Sequence, residues 1–100
     1  MRIDLEGIKI THNESEKHFE VLINGLPSKL DYIEDEDTFV ITHVGVHPDL
    51  RGQGVAGKLT QFALEYAKGN SLRVIPMCAY AAAYIRRNPQ YIELTKHKEN

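Results

Sequence analysis

The sequence predicts an α+β domain built on a mixed β-sheet, and three observations lead to that fold class. Runs rich in β-branched and aromatic residues fill the first half of the chain, separated by polar turns. An amphipathic helix follows at about residues 53–68, and an apolar strand follows that helix. Strands joined by tight turns pair antiparallel, whereas a strand–helix–strand unit brings the chain back parallel. We therefore expect an antiparallel meander plus one βαβ-like unit, in a single domain over residues 1–100.

Two strands are predicted before residue 24. Residues 8–11 and 19–23 are apolar or alternate between apolar and polar, and the polar turn at residues 13–16 separates them. The turn signal Asn24-Gly25 follows directly. These segments predict a hairpin that leads into a third strand.

Two more strands complete the predicted meander. Residues 28–33 alternate, which places Leu30 and Tyr32 on one face of the strand and Lys29, Asp31 and Ile33 on the other. The acidic turn at residues 34–37 then leads into a strand at residues 39–46. We expect these strands to be neighbours in the sheet.

The second half of the chain predicts two helices around one strand. In the first helix the apolar residues recur at helical spacing: Val55, Ala56, Leu59, Phe62, Ala63, Tyr66 and Ala67. The pair Gly69-Asn70 is a C-cap signal, a strand follows at residues 72–75, and a second helix begins near Cys78. The charged tail at residues 93–100 is expected to fray.

The most informative segment lies between the fourth strand and the first helix. Gly52, Gly54 and Gly57 crowd together there. Glycine adopts a positive φ without steric cost, and the free N–H groups at a helix N-terminus attract anions. We expect this turn to bind a phosphate ester.

These glycines match three phosphate-binding patterns, and the neighbouring residues discriminate between them. A dinucleotide fingerprint needs an acidic residue at the end of the next strand, but that strand runs into Met77 and Cys78. A P-loop needs a hydroxyl directly after Lys58, where this chain has Leu59. The third pattern, R/Q-x-x-G-x-G/A, is matched by residues 51–56 and is the one that the flanking sequence also fits.

That third pattern is part of a longer signature. Residues 46–54 read Val-x-Pro-x-x-Arg-Gly-x-Gly, residues 76–85 read Pro-x-Cys-x-Tyr-x-x-x-Tyr-Ile, and residues 88–91 read Asn-Pro-x-Tyr. The ordered set resembles a small GNAT-like N-acetyltransferase family of the GNAT superfamily, whose members have about the length of this chain. The resemblance implies a minimal GNAT-like fold with two helices, and it implies acetyl-CoA as the cofactor.

The resemblance also implies which residues hold coenzyme A. They are Val44 and Val46, on the strand that pairs with the pantetheine amides, and the loop residues Arg51, Gly52, Gln53, Gly54, Val55, Ala56, Gly57 and Lys58. Within this set Arg51 and Lys58 are the cations expected to balance the phosphates.

Three side chains are candidates for catalysis. Tyr84 stands where the GNAT pattern has a tyrosine that protonates the departing thiolate, and Tyr80 lies one turn before it. The chain departs from the pattern at the general base. Where many GNAT enzymes carry a glutamate, His43 is our first candidate and His47 our second, because imidazole titrates near neutral pH. Cys78 either lines the acyl pocket or accepts the acyl group transiently, and a purely structural role stays open for each of these residues.

Composition limits the classes of partner that we expect. A net charge of −2 and a pI near 6.2 argue against nucleic acids and anionic membrane surfaces. No membrane-spanning run, signal peptide or metal site is expected, and a lone cysteine fits a reducing compartment, so we expect a cytoplasmic protein.

The expected function is transfer of an acetyl group from acetyl-CoA to a small-molecule or peptide amine, by direct attack in a ternary complex. Two alternatives stay open: a module that binds or senses coenzyme A or acyl-CoA without efficient turnover, and an interaction module whose loop no longer binds phosphate. Compared with the GNAT pattern, the chain is shorter by roughly the two helices that wall the acceptor site. We therefore expect that site to be open, or to be completed by a partner or by a second copy in a homodimer.

Overall fold

In the computed structural model, which describes residues 3–96, five strands form one mixed sheet in the order of the chain. The strands are β1 (Thr11–Asn13), β2 (His18–Ile23), β3 (Leu26–Asp35), β4 (Thr38–Val46) and β5 (Arg73–Pro76). The helices are α1 (Val55–Gly69) and α2 (Ala79–Arg87), with two 3-10 helices, Pro48–Leu50 and Pro89–Thr95. Neighbouring strands from β1 to β4 pair antiparallel, and β4 pairs parallel with β5. This topology confirms the predicted α+β class.

The helices lie on one face of this sheet. Helix α1 packs against β2, β3, β4 and β5, and it also contacts α2 and the C-terminal 3-10 helix. Leu30 and Tyr32 share this face, as the alternation in β3 predicted, and both are buried. The opposite face is open, and it carries the exposed side chains of Leu22 and Ile33. The core is therefore a single layer between sheet and helices.

Strand β4 contains an irregularity that matters for the site. Asp31 pairs with His43, but the next residue of β3, Tyr32, pairs with Ile41, so Thr42 is an extra residue in β4. The Thr42 hydroxyl donates a hydrogen bond of 3.2 Å to the carbonyl oxygen of Asp31. Such a bulge turns the strand, and it lies at the point where β4 stops pairing with β5.

That loss of pairing opens a gap in the sheet. Residues 38–41 of β4 pair with residues 73–76 of β5, and the N–H groups of Met77 and Cys78 then both donate to the carbonyl oxygen of Ile41, at 3.1 Å each. From Thr42 to Val46, no pairing with β5 occurs within the described residues. One edge of β4 is thus free of strand partners beside the start of α2.

Several predicted boundaries differ from the observed ones, and β3, for example, spans Leu26–Asp35 instead of residues 28–33. The first strand is Thr11–Asn13 instead of residues 8–11, although Ile8 and Ile10 still pack against the core. Helix α1 begins at Val55 because Gly54, at a φ of 87°, is left-handed and cannot belong to the helix.

The tail was expected to fray over residues 93–100. Residues 93–95 belong instead to the C-terminal 3-10 helix, where Leu94 packs against the core and the Thr95 carbonyl accepts a 3.4 Å hydrogen bond from Arg73 Nε. Residues 97–100 lie outside the described part of the chain.

A cluster of aromatic rings closes the domain where α1 crosses β2 and β3. Its members are His12, Phe19, Tyr32, Phe39 and Tyr66. His12 Nε2 hydrogen-bonds the Tyr32 hydroxyl, and the Tyr66 hydroxyl donates to Glu34 at 2.7 Å. Burial lowers the pKa of His12, so this imidazole favours its neutral form.

None of the helices within residues 3–96 is long and apolar enough to cross a membrane.

Candidate functional site

The loop between β4 and α1 is held by a short 3-10 turn and one buried side chain. Asp49 N donates to His47 Nδ1 at 3.1 Å, and Leu50 N donates to the His47 carbonyl at 2.8 Å. Leu50 is fully buried and anchors the turn in the core. Gly52 and Gly54 then adopt positive φ values of 79° and 87°, a geometry that only glycine reaches without strain. The sequence predicted this tight turn correctly.

Helix α1 starts from this loop with unsatisfied donors. Gly54 is its N-cap residue, no side chain caps it, and no acidic residue lies in the first turn. The first N–H with a partner inside the helix is that of Lys58, which donates to the Gly54 carbonyl at 3.0 Å. The N–H groups of residues 55–57 therefore end without intrahelical acceptors, at the positive end of the helix dipole. Such an end attracts an anion.

A cleft of about 200 Å³ opens beside these N–H groups. Its walls are Val46, Leu50, Arg51, Gly52, Gly54, Val55, Ala56, Gly57 and Tyr80. Most of the predicted cofactor residues are in this set. Val44, Gln53 and Lys58 are predicted cofactor residues that do not line the cleft.

The two predicted phosphate-binding cations have different positions. Arg51 lines the cleft, and no carboxylate in residues 3–96 lies within ion-pair distance of its guanidinium. The ammonium of Lys58 instead lies over the ring of Phe62, 5.8 Å from its centroid. Of this pair, the structure thus brings Arg51 to the cleft and turns Lys58 along the outside of α1.

Two tyrosines of α2 face the first turn of α1. A Cβ atom on Gly57 would lie 3.4 Å from the Tyr80 hydroxyl and 3.6 Å from Cε2 of Tyr84. The Tyr84 ring lies between those of Tyr80 and Tyr91, at centroid distances of 6.4 and 6.2 Å. Burial raises the pKa of both Tyr80 and Tyr84, so both hydroxyls keep their protons at neutral pH.

Tyr84 is held in place from behind. The hydroxyl of Tyr91 donates a 2.7 Å hydrogen bond to Glu65 on α1, and burial with this bond raises the pKa of Tyr91 to about 12. The hydrogen bond of Tyr91 links the C-terminal 3-10 helix to α1. Because Tyr91 is also buried and stacked on Tyr84, it fixes the ring of Tyr84.

Cys78 lies where the two strands separate. It is the N-cap residue of α2, it is half-buried, and it packs against the core. Its N–H donates to Ile41, the last residue of β4 that β5 reaches. The structure therefore places Cys78 at the start of α2, beside the point where β4 and β5 separate.

The two histidine candidates line a different space from the cleft. His43 is exposed on the open face of the sheet, and a Cβ on Gly45 would lie only 2.9 Å from its Nε2 atom. A groove of about 230 Å³ on that face is lined by Pro27, Ser28, Lys29, His43, Gly45, Val46 and His47. Val46 borders both this groove and the cleft. The sheet therefore separates His43 from Tyr84, and the two spaces meet at the end of β4.

Two residues that contact the loop were given no role in the site from the sequence. Tyr80 lines the cleft; its position one turn before Tyr84 let both tyrosines face the same cleft, but a core aromatic was equally consistent with that position. Leu5 touches the loop from the N-terminal segment, 2.8 Å from the position of a Cβ on Gly54. No local pattern predicts that contact, because it joins residues far apart in the chain.

Comparison with known proteins agrees with this geometry. The profile of the family described as GCN5-related N-acetyl-transferase matches residues 18–94. Protein NATD1 of Xenopus tropicalis is 26% identical, over 87% of this chain and 84% of that protein, and Protein NATD1 of Homo sapiens is 26% identical, over 86% and 80%.

A solved structure extends the likeness to the fold. The solution NMR structure of a GCN5-like candidate N-acetyltransferase from Staphylococcus aureus superposes with a TM-score of 0.71 at 28% identity, over 92% of this chain and 91% of that one. The family and the fold together support a general role in acetyl transfer. Since the family profile spans most of the sequence, the chain belongs to the GCN5-related N-acetyltransferase family.

Proposed function

We propose that the chain is an acetyl-CoA-dependent N-acetyltransferase that acetylates an amine by direct attack in a ternary complex. The observation that carries the proposal is the uncapped N-terminus of α1, which follows two left-handed glycines and faces a cleft beside Arg51, whose guanidinium has no ion-pair partner within residues 3–96. Backbone N–H donors and a guanidinium are the groups that suit a pyrophosphate. This donor set fits the phosphate end of coenzyme A.

The free edge of β4 suits the extended part of the same ligand. Residues 42–46 have no β5 partner within the described chain, so their outward backbone groups are available to amides. An extended ligand that adds to a sheet edge gains main-chain hydrogen bonds in this way. The gap leads from the cleft, which Val46 borders, towards Cys78 at the start of α2.

The reaction needs two proton transfers, and the chain offers a group for each. Acetyl-CoA supplies a thioester, whose carbonyl carbon bonds to the amine nitrogen while the carbon–sulfur bond breaks. Tyr84, neutral and held by stacking on Tyr91, is the proposed donor of a proton to the departing sulfur. Cys78 is proposed to shape the pocket at the gap, without being acylated.

His43 is the proposed base, and its position defines the path of the acceptor. It lies over Gly45 on the open face of the sheet, across β4 from Tyr84. An amine that enters through the groove on this face would meet the gap from the side opposite the tyrosine. Base and acid would then act from the two faces of the sheet, with the acetyl group between them.

The separation of His43 from Tyr84 also favours the second candidate function, a module that binds coenzyme A or acyl-CoA without efficient turnover. Binding needs the loop, Arg51 and the β4 edge alone. The proposed partners are an amine acceptor and a second subunit that completes the open groove. The proposed location is the cytoplasm. Turnover separates the two functions.

The test is an acetyl-CoA turnover assay against a panel of amines and lysine peptides, combined with calorimetry of coenzyme A binding. Wild-type protein is expected to bind coenzyme A and to release it in the presence of an acceptor, and His43→Gln is expected to lower the rate with little change in coenzyme A affinity. Binding without turnover on any amine would favour the binding module. Absence of coenzyme A binding would refute both functions.

A further inference from the structure

The N-terminal segment lies against the phosphate loop. The N–H of Ile3 donates to Oε1 of Gln53 at 3.2 Å, across 50 residues of sequence. Cδ1 of Leu5 lies 2.8 Å from the position that a Cβ on Gly54 would occupy. Gly54 therefore combines a left-handed φ of 87° with a contact to Leu5. Two independent contacts join this segment to consecutive loop residues.

The segment has its own local structure. Asp4 Oδ1 accepts a hydrogen bond from the N–H of Glu6 at 3.1 Å, and the Asp4 carbonyl accepts one from Gly7 at 3.0 Å. Ile3 and Leu5 also pack against the core. The turn thus presents two apolar side chains on one side, and Leu5 is the one that reaches the loop.

The contacts are made from outside the cleft. None of residues 3–6 lines it, and the Gln53 side chain, which Ile3 engages, does not line it either. The segment therefore leaves the N–H groups of α1 accessible. It also lies outside residues 18–94, the part of the chain that the family profile matches.

A loop with two glycines in three residues is costly to order, since glycine loses more conformational freedom than any other residue. Contacts that order such a loop before the ligand arrives reduce that cost at binding. We propose that residues 3–6 form an N-terminal strap that holds the Gln53-Gly54 turn in its anion-binding conformation. Leu5 is then a positioning residue for the cofactor site. This proposal rests on the proposed function in taking coenzyme A as the ligand.

The test compares Leu5→Ala with Leu94→Ala, which removes the same atoms from a core contact on the C-terminal 3-10 helix. Backbone ¹⁵N relaxation in the ligand-free protein is the first readout. In Leu5→Ala, the order parameters of Gly52 and Gly54 are expected to fall from about 0.85, typical of a rigid backbone, towards about 0.6. Leu94→Ala is expected to leave them unchanged.

Calorimetry with coenzyme A is the second readout. Leu5→Ala is expected to bind about tenfold more weakly than wild type. Leu94→Ala is expected to lose stability and keep its affinity. Gln53→Ala, which removes the acceptor of Ile3 while Leu5 stays, is expected to show the same loop mobility to a smaller extent, and it serves if Leu5→Ala does not fold.

Unchanged order parameters of Gly52 and Gly54 in both Leu5→Ala and Gln53→Ala would overturn the proposal. Tighter coenzyme A binding in Leu5→Ala would also overturn it, because the strap would then hinder binding. If wild-type protein binds no coenzyme A, the proposed function fails. The relaxation data still decide whether the strap orders the loop.

Discussion

Ala56→Leu is the substitution that tests the position of the cofactor site most directly. Ala56 lies in the first turn of α1, is half-buried, and lines the cleft. The leucine side chain can be accommodated because it extends into the cleft and not into the core. We expect the fold to survive while binding is lost.

The structure sets the expected magnitudes. Leucine adds three carbon groups of roughly 30 Å³ each, taking the volume of a water molecule as the measure, to a cleft of about 200 Å³. An anion displaced from the helix end loses charge-assisted hydrogen bonds of about 1.5–3 kcal/mol each. Losing two of them weakens coenzyme A binding on the order of a hundredfold or more. Leucine is nearly as good a helix former as alanine, so the free energy of unfolding should change by less than about 0.5 kcal/mol.

The assay is calorimetry with coenzyme A, paired with urea unfolding of the same samples. Ala82→Leu is the matched control, since Ala82 is a half-buried alanine about 200° around α2 from Tyr80, at 100° per residue. We expect it to keep both stability and affinity. A folded Ala56→Leu protein with wild-type affinity would refute the location of the site, and with it the roles given to the loop and to Arg51.

Three further predictions concern the tyrosine, the thiol and the aromatic cluster. Tyr84→Phe should lower kcat by about tenfold or more and leave acetyl-CoA affinity unchanged, because the hydroxyl is needed only as charge builds on sulfur. Steady-state kinetics tests this prediction, with Tyr80→Phe as the comparison, since that variant should alter affinity instead. An unchanged kcat would leave Tyr84 with a packing role alone. Cys78→Ala should keep most activity, and detection of a kinetically competent acetyl-Cys78 by rapid quench and mass spectrometry would contradict direct transfer. His12 has a folded-state pKa lowered by burial from 6.5, so the unfolded chain takes up the proton first. The free energy of unfolding should therefore fall as pH drops below about 6.5, until the folded-state pKa is passed. Urea titrations of His12→Asn should have a flatter pH dependence than wild type, and identical profiles would rule out this contribution.

Local patterns were sufficient for much of the fold because each depends on residues close in sequence. The alternation of β3 predicted that Leu30 and Tyr32 share a face, which the structure buries, and helical spacing predicted α1. The first strand was misplaced because Ile8 and Ile10 are apolar for a reason other than strand pairing, namely core contact. In the tail, the charges near residue 95 conceal Leu94, which packs against the core.

By itself, the sequence determined that a tight glycine turn precedes a helix, since the glycines between β4 and α1 permit positive φ and leave the helix end uncapped. It also determined that Cys78 lies at the start of the second helix and that Tyr84 lies within it. Only the tertiary structure decided which side chains reach the cleft. Arg51 and Tyr80 line it, Lys58 turns to Phe62, and His43 lies across the sheet. The physical reason is that the bulge at Thr42, the separation of β4 from β5 and the contact of Leu5 with Gly54 all depend on residues distant in the chain, which folding alone brings together.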